Sequence, residues 1–282
     1  EGGSKGPVPF KNVVMDYPLA RAIEDGFVKE PAVVTQQNFN PADHSAEQLE
    51  RIKLMDGIRV HEETKVHLLT YAEQTGQKPV KPFMLVIARD TTHATGLLTT
   101  IEGLFDGQYK GKVIQVDSGT TSGAEGDAIV ERLLAVESYT EPTEIVIHVN
   151  MLKEGWDVTN LYTIVPLRAA NARTLIEQSI GRGLRLPYGK RTGVAGVDRL
   201  SIVAHDKFQE IIDEANRGDS PIRLQQVILD APSADDKKVS VQVESGAAAR
   251  LGLTEVPVLV TGVSSAESGA EVPVPEPVFI TE

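Results

Sequence analysis

Two arginines and a glutamine lie on one face of a predicted helix. Residues 172–185 read ARTLIEQSIGRGLR, and at about 100° per residue Gln178, Arg182 and Arg185 fall within a narrow arc. Guanidinium groups stay charged at any working pH and match the geometry of a phosphate, so this face suits phosphate binding. The alternative is a surface helix whose arginines pair with nearby acids.

Two glycines interrupt the same predicted helix. Gly181 and Gly183 each cost about 1 kcal/mol relative to alanine in a helix interior. We therefore expect either that another group approaches the backbone closely at this point or that the helix ends early.

Positive charge is concentrated around this helix, although the chain is acidic overall. The 282 residues carry a net charge of −12. Residues 168–199 contain seven Lys/Arg and two Asp/Glu, or +5, which leaves −17 for the rest of the chain. A local basic strip can attract an anion even in an acidic protein, because a phosphate responds to the local potential.

Other polar residues follow apolar runs that are rich in β-branched residues. Arg89, Thr91 and Thr92 follow FMLVIA (83–88), and Ser118 and Thr120 follow KVIQV (112–116). If helices begin there, their free N–H groups and positive dipole ends would attract an anion. Ordinary helix capping is the alternative explanation for both clusters.

The elements that must position these residues alternate along the chain. Nearly continuous apolar runs predict strands at 31–36, 83–88, 112–116, 144–149, 161–166 and 200–204. Helices are predicted at 45–76 with an interruption near Gly57, and at 92–104, 123–137, 172–185 and 206–216. Continuous apolarity indicates strands that are buried on both faces, so the alternation predicts an α/β fold with a doubly wound parallel sheet. Functional residues in such sheets gather at the carboxyl ends of the strands.

Composition divides the chain into three predicted regions. Residues 1–30 form a leading linker with a short helix, and residues 31–219 form the main lobe. Residues 220–282 form an acidic Val/Pro-rich extension that is partly β or loosely ordered, because KVSVQVE (238–244) alternates like a half-buried strand. Since the first residue is Glu1, we expect a piece of a longer protein.

Several kinds of site and location are not expected. The sequence contains no cysteine, and its six histidines lack the spacing of metal ligands, so no metal site is predicted. No apolar run approaches the roughly 18–20 residues of a membrane span, so no membrane contact is expected. A cytoplasmic location is the default interpretation.

The arginine helix also fits a known pattern. Gln178, Gly181, Arg182 and Arg185 match Q-x-x-G-R-x-x-R, the sixth motif of superfamily 2 helicases. The stretch 149–189 resembles the fifth and sixth motifs of the helicase (Res) subunit of type III restriction enzymes, and 9–26 resembles the segment that leads into its second motor domain. This resemblance implies a second RecA-like lobe, a doubly wound parallel sheet with helices on both faces, followed by a partly β extension.

The resemblance also implies roles for the candidate residues. Two such lobes clamp one ATP, and Arg182 and Arg185 of the second lobe would reach its γ-phosphate, with Arg185 as the arginine finger. Gln178 would support the nucleotide or the attacking water. The residues implied to bind the nucleotide cofactor are Gly155, Asp157 and Gly181, and Gly155 and Asp157 match the fifth motif, which couples ATP to the nucleic-acid backbone. Those implied to contact the DNA backbone are Lys153, Arg89, Thr91, Thr92, Ser118 and Thr120.

Two motifs of a complete motor are absent from the sequence. It contains neither G-x-x-x-x-G-K-[ST] nor an acidic box after an apolar strand, so nothing in it is expected to hold the β-phosphate of ATP or Mg²⁺. The expected partners are a first RecA-like lobe of the same parent chain, double-stranded DNA and a methyltransferase (Mod) subunit. The chain alone is expected to be inactive. The alternatives are a non-motor binding or assembly module and a related RNA or repair helicase.

Overall fold

The computed structural model describes residues 15, 17, 19–117, 123–149, 158–167, 183–206, 210, 213 and 224–230. The greater part of each of the predicted helices 172–185 and 206–216 lies outside the described residues, and so does the predicted strand 238–244. No helix in the described part of the chain is both long and apolar enough to cross a membrane.

Seven strands form one parallel sheet. They are β1 (Glu30–Gln36), β2 (Phe83–Ile87), β3 (Val113–Val116), β4 (Ile145–His148), β5 (Leu161–Pro166), β6 (Arg199–Val203) and β7 (Gln225–Leu229). Their order across the sheet is β3-β4-β2-β5-β6-β1-β7, and each described pairing is parallel. The first six strands lie where the apolar runs predict them.

Helices cover both faces of this sheet. They are α1 (Leu19–Glu24), α2 (Ala46–Thr75), α3 (Thr91–Gly103), α4 (Gly123–Leu134) and α5 (Ala195–Asp198), with short 3₁₀ turns at Pro41–Asp43 and Phe105–Gly107. Residues of α2 and α3 contribute to the apolar cluster on one face. Residues of α1 and α4 contribute to the cluster on the other. The doubly wound parallel sheet expected of a RecA-like lobe is therefore confirmed.

The two apolar clusters explain why the strands read as unbroken apolar runs. Successive side chains of a strand point to opposite faces of a sheet. Val33 belongs to one cluster and Val34 to the other, and Leu85 and Val86 divide in the same way. Most positions in such a strand are buried, so most of them are apolar.

Helix α2 is continuous, which corrects the predicted interruption near Gly57. Its first turn carries a capping box between Ser45 and Gln48, and it ends at Gly76, whose φ is 69°. A Cβ placed on Gly57 would lie 2.4 Å from Cγ2 of Val165 in β5. Gly57 therefore allows α2 to pack closely on the sheet and does not end the helix.

Strand β7 extends the lobe beyond the boundary predicted at residue 219. It pairs with β1 over five residues, although the sequence range was assigned to the C-terminal extension. Gln225, Gln226 and Ile228 are exposed, so this edge strand lacks the apolar run that marks the others. The chain divides into the compact units Glu1–Ser233 and Ala234–Glu282, and the second unit lies outside the described residues.

Candidate functional site

Four neighbouring strands end in one row. Ile87 at the end of β2 pairs with His148 at the end of β4 and with Pro166 at the end of β5. His148 also pairs with Val116 at the end of β3. Because the strands are parallel, the segments that follow them all leave the same edge of the sheet. We call the edge defined by Val116, His148, Ile87 and Pro166 the carboxyl row.

Along the chain, each group of predicted site residues comes after one strand of the carboxyl row, although more than ten residues separate Gln178 and Arg182 from the end of β5. Arg89, Thr91 and Thr92 follow β2 directly and are described. The groups after β3, β4 and β5 lie outside the described residues, and they are Ser118, Thr120, Lys153, Gly155, Asp157, Gln178, Gly181 and Arg182. The described strand ends show where those segments begin.

The turn between β2 and α3 presents polar groups at the carboxyl row. Asp90 is the N-cap of α3, and its Oδ1 accepts the N–H of His93 at 2.8 Å. Arg89, Thr91 and Thr92 are exposed around this cap. The predicted order along the chain, a strand end followed by polar residues and a helix start, is confirmed, and these polar residues are exposed. The first turn of a helix favours an anion.

A carboxylate from α2 joins this turn. Nδ1 of His93 accepts the backbone N–H of Arg89 at 3.1 Å, and its Nε2 lies 2.9 Å from Oε2 of Glu50. Nη1 of Arg89 lies 3.6 Å from the same oxygen. Glu50 precedes Arg89 by 39 positions in the sequence, so no local pattern indicated this contact.

Side chains also connect α3 to the end of β3. Oγ1 of Thr95 donates to Oε1 of Gln115 at 3.2 Å, and Nε2 of Gln115 donates to Oδ2 of Asp117 at 2.7 Å. The residues preceding the Ser118 segment are thereby tied to the helix that carries Thr91 and Thr92.

Arg185 lies at the other end of the sheet. The N–H of Lys29, the residue before β1, donates to the carbonyl oxygen of Leu184 at 2.7 Å. A Cβ on Gly183 would lie 2.7 Å from both Cδ atoms of Leu200, the second residue of β6. Leu184 is buried whereas Arg185 is exposed. The structure therefore places Arg185 beside the amino ends of β1 and β6, away from the carboxyl row.

The same contact accounts for one of the two glycines. The alternatives predicted for the glycines were a close approach to the backbone and an early end of the helix, and at Gly183 the backbone is approached by Leu200 of this chain. Gly181 lies outside the described residues. The role predicted for Arg185 at a γ-phosphate stays a prediction.

Beside this region, the ammonium group of Lys29 is enclosed. Its Nζ donates to the carbonyl oxygens of Thr159 at 2.7 Å and Leu161 at 2.8 Å, and it lies 3.8 Å from the ring centroid of Tyr162. Burial lowers the pKa of Lys29 well below its ordinary value, against the opposing charges of nearby carboxylates. Because the side chain is fully buried, we assign it to fixing the start of β5.

Within the described part of the chain, one cluster of potential metal ligands forms at the amino end of β4. His61, Glu62 and Glu144 bring one ligand atom each within 4.8 Å of one another. Nζ of Lys65 lies 2.8 Å from Glu144 and 3.0 Å from Glu62, and Nζ of Lys112 lies 2.8 Å from Glu144. Two ammonium groups thus balance two carboxylates, and we assign the cluster to stability.

The carboxylate of Glu144 depends on those neighbours. Burial alone would raise the pKa of Glu144, but the neighbouring His61, Lys112 and Lys65 side chains hold it well below its ordinary value. The negative charge of this group is therefore retained through the neutral and mildly acidic range.

Comparison with curated proteins gives two relatives. The chain is 34% identical over 87 residues to the Res subunit of the type III restriction-modification enzyme StyLTI of Salmonella typhimurium, a match that covers 28% of this chain and 9% of that subunit. It is 25% identical over 183 residues to IRC3 of Saccharomyces cerevisiae, a protein named as an ATP-dependent helicase, with 63% of this chain and 24% of IRC3 covered. The chain thus spans less than a quarter of either relative.

Solved structures also match the chain. A fragment named as the HsdR subunit of a type I restriction enzyme from Vibrio vulnificus is 21% identical, with a TM-score of 0.49, and the match covers 78% of this chain and 40% of that one. No protein-family profile matches the chain. The curated relatives confirm the predicted resemblance to superfamily 2 helicases and type III Res subunits.

Proposed function

We propose that this chain is the second RecA-like lobe of an ATP-dependent DNA helicase or translocase of the type III restriction kind. The observation that carries the proposal is the carboxyl row, because β3, β4, β2 and β5 end in register and the predicted nucleic-acid motifs follow those strands. Similarity to a Res subunit and to a protein named as an ATP-dependent helicase supports it.

The carboxyl row would bind the DNA backbone. Arg89 supplies an exposed guanidinium group, and Thr91 and Thr92 supply hydroxyl and N–H groups at the start of α3. Ser118, Thr120 and Lys153 would extend the contact along neighbouring strands. Phosphate contacts of this kind position a protein on DNA without reading its sequence, which suits a motor that moves along DNA.

The ATP-binding site would be completed by another surface of this lobe. Arg182 and Arg185, with Gln178 beside them, would approach the γ-phosphate of an ATP held with Mg²⁺ by a first RecA-like lobe. Gly155, Asp157 and Gly181 would bind the nucleotide, and Gly155 and Asp157 would couple it to the DNA backbone. Because Arg185 lies at the amino ends of β1 and β6, DNA and nucleotide would use separate ends of the sheet, and movement of the lobe would couple them. The setting would be the cytoplasm, with a methyltransferase (Mod) subunit as a further partner.

Fluorescence anisotropy with a labelled DNA duplex tests the DNA contact. The logarithm of the DNA-binding constant falls with the logarithm of the salt concentration, and loss of one phosphate contact makes this slope less steep by about 0.9. We expect that change for Arg89→Ala. The matched control is Arg21→Ala, which removes an exposed arginine of α1 that lies 3.5 Å from Asp25, much as Arg89 lies 3.6 Å from Glu50. Equal slopes for the two variants would contradict a phosphate contact at Arg89.

ATP turnover tests the second surface. The 282-residue chain alone is expected to hydrolyse no ATP, and addition of a first RecA-like lobe from a type III Res subunit is expected to produce DNA-stimulated hydrolysis. An arginine finger contributes about 10³- to 10⁵-fold, so Arg185→Ala should abolish this activity whereas Arg21→Ala should not. Hydrolysis by the chain alone, or full activity of the Arg185→Ala mixture, would refute the assignment.

A further inference from the structure

The geometry points to Glu50 as a positioning residue for the DNA-binding turn, acting through His93 on the backbone of Arg89. We propose that this relay from α2 sets how Arg89, Thr91 and Thr92 face a backbone phosphate. The inference rests on the proposed function, and it adds a residue that lies in none of the predicted motifs.

The first step of the relay is the hydrogen bond between His93 and Arg89. Nδ1 of His93 accepts the backbone N–H of Arg89 at 3.1 Å, so Nδ1 carries no proton and the neutral ring is protonated at Nε2. The side chain of His93 is only 9% exposed. A shielded ring in one tautomer gives the turn a fixed acceptor.

The second step is the contact between His93 and Glu50. Nε2 lies 2.9 Å from Oε2 of Glu50, but its N–H is not aligned as a hydrogen bond. The contact is therefore a close electrostatic one, in which the carboxylate favours the tautomer that keeps Nδ1 as an acceptor. Glu50 lies near the start of α2, whose N-terminus is fixed by the Ser45 capping box, so the carboxylate projects from a rigid element.

Glu50 does not hold the guanidinium group of Arg89 in the same way. The distance from Nη1 to Oε2 is 3.6 Å, which exceeds hydrogen-bond length. The Arg89 side chain is 53% exposed, and an exposed ion pair of this kind contributes little. A phosphate offering two oxygens would bind the guanidinium more strongly than this contact does. The carboxylate therefore orders the main chain and leaves the guanidinium available to DNA.

Asp90 is the other charged group that holds this turn. Its Oδ1 caps the N–H of His93 at 2.8 Å, and its carbonyl oxygen accepts the N–H of Ala94 at 3.0 Å. These bonds start the helix but do not reach the N–H of Arg89. The His93 ring supplies that remaining bond, which gives Glu50 and Asp90 distinct tasks.

The sign of one substitution separates positioning from simple charge. Removing a carboxylate beside a DNA-binding surface reduces repulsion and should strengthen binding. If Glu50 positions the turn, Glu50→Gln should weaken binding even though it removes a negative charge. Glu47→Gln is the matched control, because Glu47 is an exposed acid on the same helix and its substitution changes the charge equally.

The test combines DNA affinity with a double-mutant cycle, measured by anisotropy at low ionic strength. We expect Glu50→Gln to weaken binding about fivefold, the size of an ordinary coupling between contacting residues, and Glu47→Gln to leave binding unchanged or tighter. In a His93→Ala background, Glu50→Gln should no longer weaken binding and, like Glu47→Gln, should leave it unchanged or tighter. Binding by Glu50→Gln that equals or exceeds that of the wild type would overturn the proposal.

Nuclear magnetic resonance of the DNA-free protein tests the relay independently of the proposed function. Long-range ¹H–¹⁵N correlations should show the Nε2–H tautomer for His93, and the Arg89 amide should exchange faster in Glu50→Gln than in the wild type or Glu47→Gln. If these signatures appear but DNA does not bind, the relay stands and the DNA-binding role fails. If Arg89→Ala weakens DNA binding while Glu50→Gln changes neither readout, the relay fails and the DNA contact stands.

Discussion

Replacement of Gly57 by alanine tests how α2 packs on the sheet. An added Cβ would lie 2.4 Å from Cγ2 of Val165 and 3.2 Å from Sδ of Met84. Val165 is fully buried in β5, between β2 and β6. A stiff β-branched side chain in a central strand has little room to move, so α2 itself would have to shift away from the sheet.

The expected loss of stability follows from two opposing effects. Alanine is favoured over glycine in a helix by about 1 kcal/mol. Forcing an extra carbon into a filled core costs about 1–3 kcal/mol and occasionally more, and a separation of 2.4 Å places Gly57 at the severe end. We therefore expect a net loss of about 2 kcal/mol, which corresponds to a fall in Tm of roughly 4–8 °C for a lobe of this size.

Urea denaturation followed by circular dichroism measures this loss. The matched control is Gly96→Ala in α3, where an added Cβ would meet nothing within 4 Å. The same substitution should stabilise the protein there by about 0.5–1 kcal/mol. A Gly57→Ala variant as stable as the wild type would show that α2 does not lie as close to β5 as the structure has it.

Two further predictions concern residues near the amino ends of the strands. Glu144→Gln should destabilise the protein by about 3 kcal/mol at pH 7, because Lys65 and Lys112 lose their shared carboxylate. The lowered pKa of Glu144 stabilises the fold at pH values above about 4.3, the ordinary pKa of a glutamate, and this stabilisation is lost as the pH falls below that value. In urea titrations, the wild type should therefore lose more stability than the variant between about pH 5 and pH 3. Gly183→Ala should lower the free energy of unfolding by about 1–2 kcal/mol through the contact with Leu200. The double variant with Leu200→Val should lose less stability in the same assay than the sum of the losses of the two single variants. Additive losses would argue against the contact.

The apolar runs were sufficient to predict the sheet because its strands are buried on both faces. Val33 and Val34 face different apolar clusters, so such a strand lacks the regular polar alternation of a half-exposed one. Strand β7 lies at the edge with Gln225 and Gln226 exposed, so the same criterion missed it. Gly57 was misinterpreted because a glycine is required there by a tertiary contact with Val165, and no local sequence pattern shows such a contact.

The candidate site divides along the same line. The position of Arg89, Thr91 and Thr92 between a strand end and a helix start was predictable, because they directly follow a recognisable strand. Glu50 reaches His93 from another helix, and only the three-dimensional arrangement brings them together. The separation of Arg185 from the carboxyl row was likewise not predictable, because it depends on where the chain returns to Lys29 and β1.

Hydrogen–deuterium exchange of the 282-residue chain, with and without a DNA duplex, tests the central claim most directly. The claim is that the carboxyl row faces the DNA backbone. We predict protection by DNA in peptides covering 88–95 and in peptides that follow Val116 and His148, with no change in α1. Protection confined to α1 and the amino ends of the strands, with none at the carboxyl row, would contradict it.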